Sequence, residues 1–103
     1  MLSSIPDLLT PHEMEMLLAE RFKTLRLVAG YKRTTLAQRS GVSVASLKRF
    51  ETCGKISLKS LLRLSQTLGR LPEFAELFKP PQALSMAQLR EQRSNKTPQR
   101  GRI

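Results

Sequence analysis

The sequence contains a single cysteine, Cys53, and this scarcity excludes two classes of small protein. A lone thiol cannot form an internal disulfide, and it cannot build a zinc cluster from cysteine ligands. One cysteine is also typical of a protein of the reducing cytoplasm, which is the location that we predict. Tryptophan is absent and aromatic residues make up 5% of the chain, which argues against a β-sandwich.

Groups that would form an enzyme site are also scarce. The one histidine, His12, has no cysteine near it in sequence, and no glycine-rich phosphate-binding loop is present. We therefore predict no catalytic residue, no metal and no cofactor. The first residues lack the basic and long apolar segments of a signal peptide, and no apolar run is long enough to span a membrane, so no membrane partner is expected.

Acidic residues are few and unevenly placed. The chain of 103 residues has 8 acidic and 18 basic side chains, a formal charge of +10 and an isoelectric point near 10.9. Four of the acids precede the first basic residue, Arg21, and basic residues dominate from there on. This excess predicts a polyanionic partner, although a charge that only keeps the domain soluble is the simpler alternative.

Apolar spacing and capping residues organise the chain as one small helical domain at residues 10–79, with an N-terminal arm at 1–9 and a basic C-terminal extension at 80–103. Five helices are predicted, at residues 11–29, 32 or 33–39, 44–51, 58–68 and 72–78. The buried stripes are predicted to be Met14, Leu18, Phe22, Leu25 and Ala29 in the first helix and Leu58, Leu61, Leu64 and Leu68 in the fourth. A further helix is predicted at 84–93, and residues 94–103 are predicted to be disordered in isolation.

Residues 36–47, L-A-Q-R-S-G-V-S-V-A-S-L, have the spacing of a helix-turn-helix. Two helices that cross steeply on a short turn need a small residue at the crossing, here Ala37. Gly41 supplies the positive φ of the turn, and Ser43 caps the second helix. This arrangement presents the first turn of the second helix to the major groove of DNA.

Residues 22–69 resemble the Xre/phage-repressor-type helix-turn-helix family, and R-F-E-T-C-G-K-I-S-L-K-S-L-L-R-L-S-Q-T-L-G at 49–69 is most similar to HipB-like antitoxin repressors. The resemblance implies an all-α, five-helix lambda-repressor-like fold that binds an inverted-repeat operator as a homodimer. It also implies a HipA-like kinase toxin as a partner. Apolar residues left over from the core are candidates for the dimer interface, namely Leu71, Phe74, Phe78 and Leu84.

The helix that follows the turn carries the predicted base contacts, from Ser43, Val44, Ala45, Ser46, Lys48 and Arg49. Val44 and Ala45 can touch only thymine methyl groups, whereas Ser46 can reach a base edge or a phosphate. Lys48 and Arg49 can bond guanine or clamp phosphate, unless they form no more than a solvated helix face.

Two further sets of residues follow from the resemblance. Family members commonly begin the second helix with Thr and Gln, whereas this chain has Lys32 and Arg33. We predict Lys32, Arg33 and Thr34 as phosphate contacts, with the helix uncapped unless Thr34 is the cap. Family members also pair an Arg of the first helix with the Glu that ends the recognition helix, and the matching residues are Arg26 and Glu51.

The basic tail ends in an R-G-R triplet, and Arg100 and Arg102 resemble the arginines of an AT-hook in a narrow minor groove. A solubilising tail is the alternative. For the whole chain the sequence predicts a transcriptional repressor that regulates its own toxin–antitoxin operon. One alternative is a protein-interaction module that mainly binds the toxin, with the acidic N-terminal segment and the tail as its contact surfaces. A phage-type regulator without a toxin is the other.

Overall fold

The computed structural model describes residues 8–81, and every regular element in that range is helical. The α-helices are Pro11–Val28 (α1), Arg33–Ser40 (α2), Val44–Cys53 (α3) and Leu58–Thr67 (α4), and a 3-10 helix follows at Leu71–Glu76. The all-α class is confirmed for this part of the chain. The predicted helix at 84–93 and the tail lie outside the described residues, as do most of the predicted arm and extension.

Side-chain caps set the starts of three helices, as the sequence predicts. Thr10 forms a capping box with Glu13: its hydroxyl accepts the Glu13 N–H at 3.1 Å, and its own N–H donates to the Glu13 carboxylate at 2.9 Å. Ser43 and Ser57 accept backbone N–H groups at the starts of α3 and α4. Each cap satisfies a donor that the helix itself leaves unpaired.

The core is formed where the helices meet around three fully buried leucines, Leu36, Leu47 and Leu64. α1 packs on α3, and α2 packs on both α3 and α4. Phe22 and Phe50 meet edge to face across the α1–α3 contact, with ring centroids 5.5 Å apart. This packing holds α2 and α3 in a fixed relation to each other.

Two of the predicted buried stripes are partly wrong. On α1 the buried residues are Ala19, Phe22 and Arg26, whereas Leu18 is 44% exposed. The stripe is rotated because α1 meets α3 through a small residue, Ala19, and an ion-paired one, Arg26. On α4, Leu58 is 66% exposed because it occupies the first helical position, before the helix reaches the core.

Two predicted element ends also differ. The sequence predicts a loop at Thr52 and Cys53, but these residues continue α3, which ends at Gly54 with φ of 75°. The Thr52 hydroxyl donates to the carbonyl oxygen of Lys48 at 2.8 Å, which satisfies it within the helix. The predicted fifth helix is the shorter 3-10 helix Leu71–Glu76, and the chain extends at Leu77 ahead of two prolines.

Candidate nucleic-acid interface

The turn between α2 and α3 has the geometry that the sequence pattern predicts. Gly41 has φ of 78°, and its N–H donates to the carbonyl oxygen of Ala37 at 3.0 Å. Val42 then enters the core with 4% of its surface exposed, and Ser43 caps α3. Because Leu36 and Ala37 on α2 are also buried, both sides of the turn are fixed by core packing.

The outward face of α3 carries Ala45, Lys48, Arg49 and Thr52, all exposed. Their spacing of three and four residues places them on one side of the helix, opposite the buried Leu47 and Phe50. Neither Lys48 nor Arg49 forms an ion pair with another residue in the described range. Their cationic groups are therefore available to an anionic partner.

Thr52 is a member of this face that sequence reasoning missed. Its hydroxyl proton is used in the bond to Lys48, but the oxygen can still accept a hydrogen bond. Gly54 could have indicated it from the sequence. A glycine in the left-handed conformation commonly ends a helix, and a helix that runs to residue 53 includes Thr52.

Ser43 and Ser46 are coupled at the start of α3. The Ser43 oxygen accepts the backbone N–H of Ser46 at 3.0 Å, and its proton goes to the Ser46 oxygen at 2.9 Å. Ser43 is therefore occupied in capping, while the Ser46 hydroxyl keeps its own proton to donate. Val44, between them, is 40% exposed and adds an apolar contact surface.

A buried ion-pair cluster fixes the other end of α3. Arg26 donates from Nε and Nη2 to the two oxygens of Glu51, at 2.6 and 2.9 Å, and from Nη1 to the carbonyl oxygen of Tyr31 at 2.9 Å. The Glu51 side chain is fully buried and that of Arg26 is 6% exposed. Burial alone would raise the pKa of Glu51, but the bonds from Arg26 and Arg33 outweigh it and lower the pKa. The predicted Arg26–Glu51 pair is thus found, as a bidentate contact.

Arg33 has a protein partner that sequence reasoning did not foresee. It donates from Nε to Glu51 at 3.0 Å, and its side chain is 32% exposed. Its predicted contact with phosphate stays a prediction. Glu51 is the only acidic residue between Arg21 and Arg70 in sequence, so Arg26 and Arg33 share one carboxylate. Arg33 therefore joins α2 to α3.

The start of α2 is uncapped. Lys32 stands at the N-cap position without a side-chain hydrogen bond to the helix, and Thr34 is exposed inside the first turn. The helix thus does not start later with Thr34 as its cap. The exposed Lys32 ammonium and Thr34 hydroxyl lie beside free backbone N–H groups, and all three kinds of donor suit a phosphate.

Arg39, near the end of α2, is held by Tyr31. Its guanidinium lies 5.2 Å from the ring centroid, and Nη1 donates to the Tyr31 hydroxyl at 3.0 Å. Tyr31 itself packs against the core. Sequence reasoning missed this cation, whose position is fixed although it is exposed.

Two of the three acidic residues of α1 have partners within the domain. Glu13 belongs to the capping box, where the Thr10 backbone bond lowers its pKa. Glu15 accepts a bond from the Lys55 ammonium at 2.9 Å, which lowers the pKa of Glu15 and ties α1 to the loop after α3. These two acids are engaged within the domain, which weakens the inference that the segment is a separate partner surface.

Other kinds of site were sought in the same residues. Within 8–81 no three histidine, cysteine or acidic side chains come together to hold a metal ion. No helix in this range is both long and apolar enough to cross a membrane. The two tail arginines, Arg100 and Arg102, lie outside the described residues. In comparisons with known proteins, no family model, no curated protein and no solved structure matched the chain.

Proposed function

We propose that this protein is a sequence-specific double-stranded DNA-binding repressor of the lambda-repressor-like type, in which α2 and α3 are a helix-turn-helix. The observation that carries the proposal is the outward face of α3. Two cations without an ion-pair partner among residues 8–81, Lys48 and Arg49, lie there beside a small methyl-bearing residue, Ala45, and a hydroxyl, that of Thr52. A helix that enters a major groove needs this mixture of base-reading and methyl-contacting groups.

The surroundings of α3 support the same role. A groove-reading helix must be held rigidly, and α3 is fixed by the turn at Gly41 at one end and by the Glu51 cluster at the other. Lys32 and Thr34 at the start of α2 supply phosphate donors next to it. One recognition helix reads only a few base pairs, so a homodimer on an inverted repeat is part of the proposal.

The narrower biological role that we propose is that of an antitoxin that represses its own operon with a HipA-like kinase toxin. The resemblance of residues 49–69 and the basic extension support it. The rival interpretation, a module that mainly binds the toxin, rests on the acidic N-terminal segment and the tail. Two acids of that segment, Glu13 and Glu15, already have partners within the domain, which weakens it. A phage-type regulator without a toxin shares the same fold.

Selection of duplexes from a random pool by the full-length chain tests the proposal. We expect enrichment of an inverted repeat, and the enriched sequence should occur upstream of the protein's own gene. A pool that stays random through repeated rounds would overturn the DNA-binding proposal. Co-purification with the product of the neighbouring gene separates the antitoxin from a regulator that has no toxin partner.

A further inference from the structure

An apolar groove of about 320 Å³ opens between α1, α4 and the 3-10 helix. Its main walls are hydrophobic side chains, from Leu18, Phe22, Leu25, Leu61, Leu68 and Phe74. Leu18 is 44% exposed, and Leu77, which also lines the groove, is 53% exposed. An open apolar surface of this kind is typical of a binding site for another apolar group.

The chain leaves the described part of the structure at this groove. Leu77 lines the groove, and the described residues end four positions later, at Pro81. Leu84 is only seven positions past Leu77 in the sequence. Connections of about 4–6 residues are the commonest between elements that pack together. The segment that follows Pro81 can therefore return to the groove through a loop of ordinary length.

The composition of residues 82–89, Q-A-L-S-M-A-Q-L, suits an apolar groove. Together with the two prolines before them, they form the longest run of the chain without a charged residue, at 80–89. The large apolar residues of this run are Leu84, Met86 and Leu89, whereas residues 90–103 contain only Ile103. The apolar part of the C-terminal extension is thus the part nearest the groove.

The backbone between the groove and this segment is strained. Phe78 has φ of 59°, in the left-handed region that an aromatic residue rarely adopts, and within 8–81 it is the one residue other than glycine with a positive φ. Phe78 is 99% exposed, so contacts of its own ring do not offset the strain. A strained residue persists where the contacts of its neighbours hold it. Leu77 is held by the groove on one side, and a bound segment after Pro81 would hold the other side.

Tethering favours this segment over an occupant from another molecule. A segment on a short flexible linker meets its own groove at an effective concentration in the millimolar range. A second copy of the chain is present only at its concentration in solution, and it brings a net charge of +10 towards an equal charge. Residues 82–89 bring no charge.

We propose that residues 82–89 fold back and fill the apolar groove of their own chain. The bound segment covers the exposed leucines of the groove and leaves only residues 90–103 as a free basic tail. Leu84 and Phe74 are then engaged within the chain, which leaves Leu71 and Phe78 as candidates for the dimer contact. The docking needs no DNA, so it can be tested separately from the proposed function.

Nuclear Overhauser effects in the full-length protein test the contact directly. The methyl groups of Leu84, Met86 and Leu89 should show these effects to the rings of Phe22 and Phe74, because the effects require protons in near contact. A mixture of isotope-labelled and unlabelled chains distinguishes a contact within one chain from a contact between two. We expect contacts within one chain at every concentration. If the effects are absent, or if they arise between chains, the proposal is wrong, and in the second case the occupant is another copy.

A charge placed in the groove should release the segment. Leu18→Glu is expected to remove the effects, with the helical circular dichroism of the wild type as the check on folding. Val28→Glu is the matched control on the same helix, since Val28 is 81% exposed and does not line the groove, and it should keep the effects. Unchanged contacts in Leu18→Glu would overturn the proposal.

Substitution in the segment tests the same contact without altering the folded domain. Leu89→Asp should shift the resonances of Leu25 and Phe74, which line the groove, because the segment no longer covers them. Gln92→Asp adds the same charge outside residues 82–89 and should leave these resonances in place. If Leu89→Asp also leaves them in place, residues 82–89 do not occupy the groove and the proposal is wrong.

Discussion

Gly41 and Gly54 both have a left-handed backbone, but only Gly54 is closely packed. Substitution at the two positions should therefore distinguish the cost of backbone strain from the cost of a steric clash. A Cβ on Gly41 would meet no heavy atom within 4 Å, whereas one on Gly54 would lie 2.9 Å from Cβ of Glu15. We expect Gly41→Ala to lower the free energy of unfolding by about 1 kcal/mol, and Gly54→Ala by at least about 2 kcal/mol, because strain and overpacking add. Denaturant melts measure both, and equal costs would contradict the close packing of α1 on Gly54.

Glu51 is buried and forms ion pairs with two arginines, so its charge should contribute strongly to the stability of the fold. Its removal leaves two arginines without their shared anion, one of them buried, so Glu51→Gln should cost about 3 kcal/mol of stability at neutral pH. Thermal or denaturant unfolding measures this. A loss no larger than that of an exposed acid would show that the cluster contributes little.

The same residue predicts a pH dependence. The pKa of Glu51 in the folded state is lowered from 4.5, so its stabilisation is complete above about pH 4.5 and is lost as the pH falls through the folded-state pKa. Wild-type stability should therefore decline in acid more steeply than that of Glu51→Gln. Glu13 and Glu15, whose pKa values are also lowered, remain in both proteins as a common background. Parallel curves would contradict this assignment.

At the scale of the element, most helix starts could be predicted, whereas the buried faces of α1 and α4 were predicted only in part. Thr10, Ser43 and Ser57 cap their helices through contacts within three residues, which the sequence displays directly. Which face of α1 is buried depends on α3, which is distant in sequence. A stripe with Leu18 and Leu25 is the best apolar face of the isolated helix. In the fold, Ala19 and Arg26 face inward instead, and the two leucines line an apolar groove beside α4 and the 3-10 helix.

The same difference between local and long-range contacts decides which parts of the candidate site could be predicted. The Ala37–Gly41–Ser43 pattern and the Arg26–Glu51 pair could be read from local spacing and from the family resemblance. The second partner of Glu51, Arg33, could not, because it depends on the angle at which α2 crosses the end of α3. Arg39 was missed for a similar reason, since only the fold brings Tyr31 under it.

Substitution at the uncapped start of α2 should change the stability of the fold and its affinity for DNA in opposite directions. Lys32→Ser supplies the missing cap and removes a cation from the positive end of the helix, so stability should rise by about 0.5–1 kcal/mol. DNA binding should weaken, because the variant neutralises one phosphate fewer. Melting and anisotropy titrations measure the two effects, and Thr10→Ala, which removes the cap of α1, is the control with the opposite effect on stability. If both quantities fall, the cap interpretation is wrong.

At the scale of the molecule, charge divides the domain into two surfaces. One presents the cations of α2 and α3, from Lys32 to Arg49. The other, at the 3-10 helix and its ends, has its charges in pairs, Arg70 with Glu73 and Lys79 with Glu76. The sequence shows the excess of positive charge, but only the fold shows which surface carries it.

The basic tail adds a prediction at this scale, although it lies outside the described residues. Deletion of residues 94–103 removes Lys96, Arg100 and Arg102. If these contact DNA, the slope of log K against log salt should decrease by about 0.9 for each phosphate that the shortened chain no longer neutralises. The decrease in affinity should be largest where A·T-rich sequence flanks the site, because its minor groove is narrow. Unchanged affinity and slope would assign the tail to solubility or to a protein partner.

The most direct measurement of the central claim is the affinity of the α3 variants for the selected duplex, by anisotropy titration at fixed salt. Lys48→Ala and Arg49→Ala should each lose about 1–3 kcal/mol of binding free energy on that duplex, with a smaller loss on a scrambled one. Lys79→Ala, an equal change in charge just after the 3-10 helix, should bind nearly as the wild type does. If the Lys48→Ala, Arg49→Ala double variant binds the selected duplex as tightly as the wild type, α3 is not the reading helix and the proposed function is wrong.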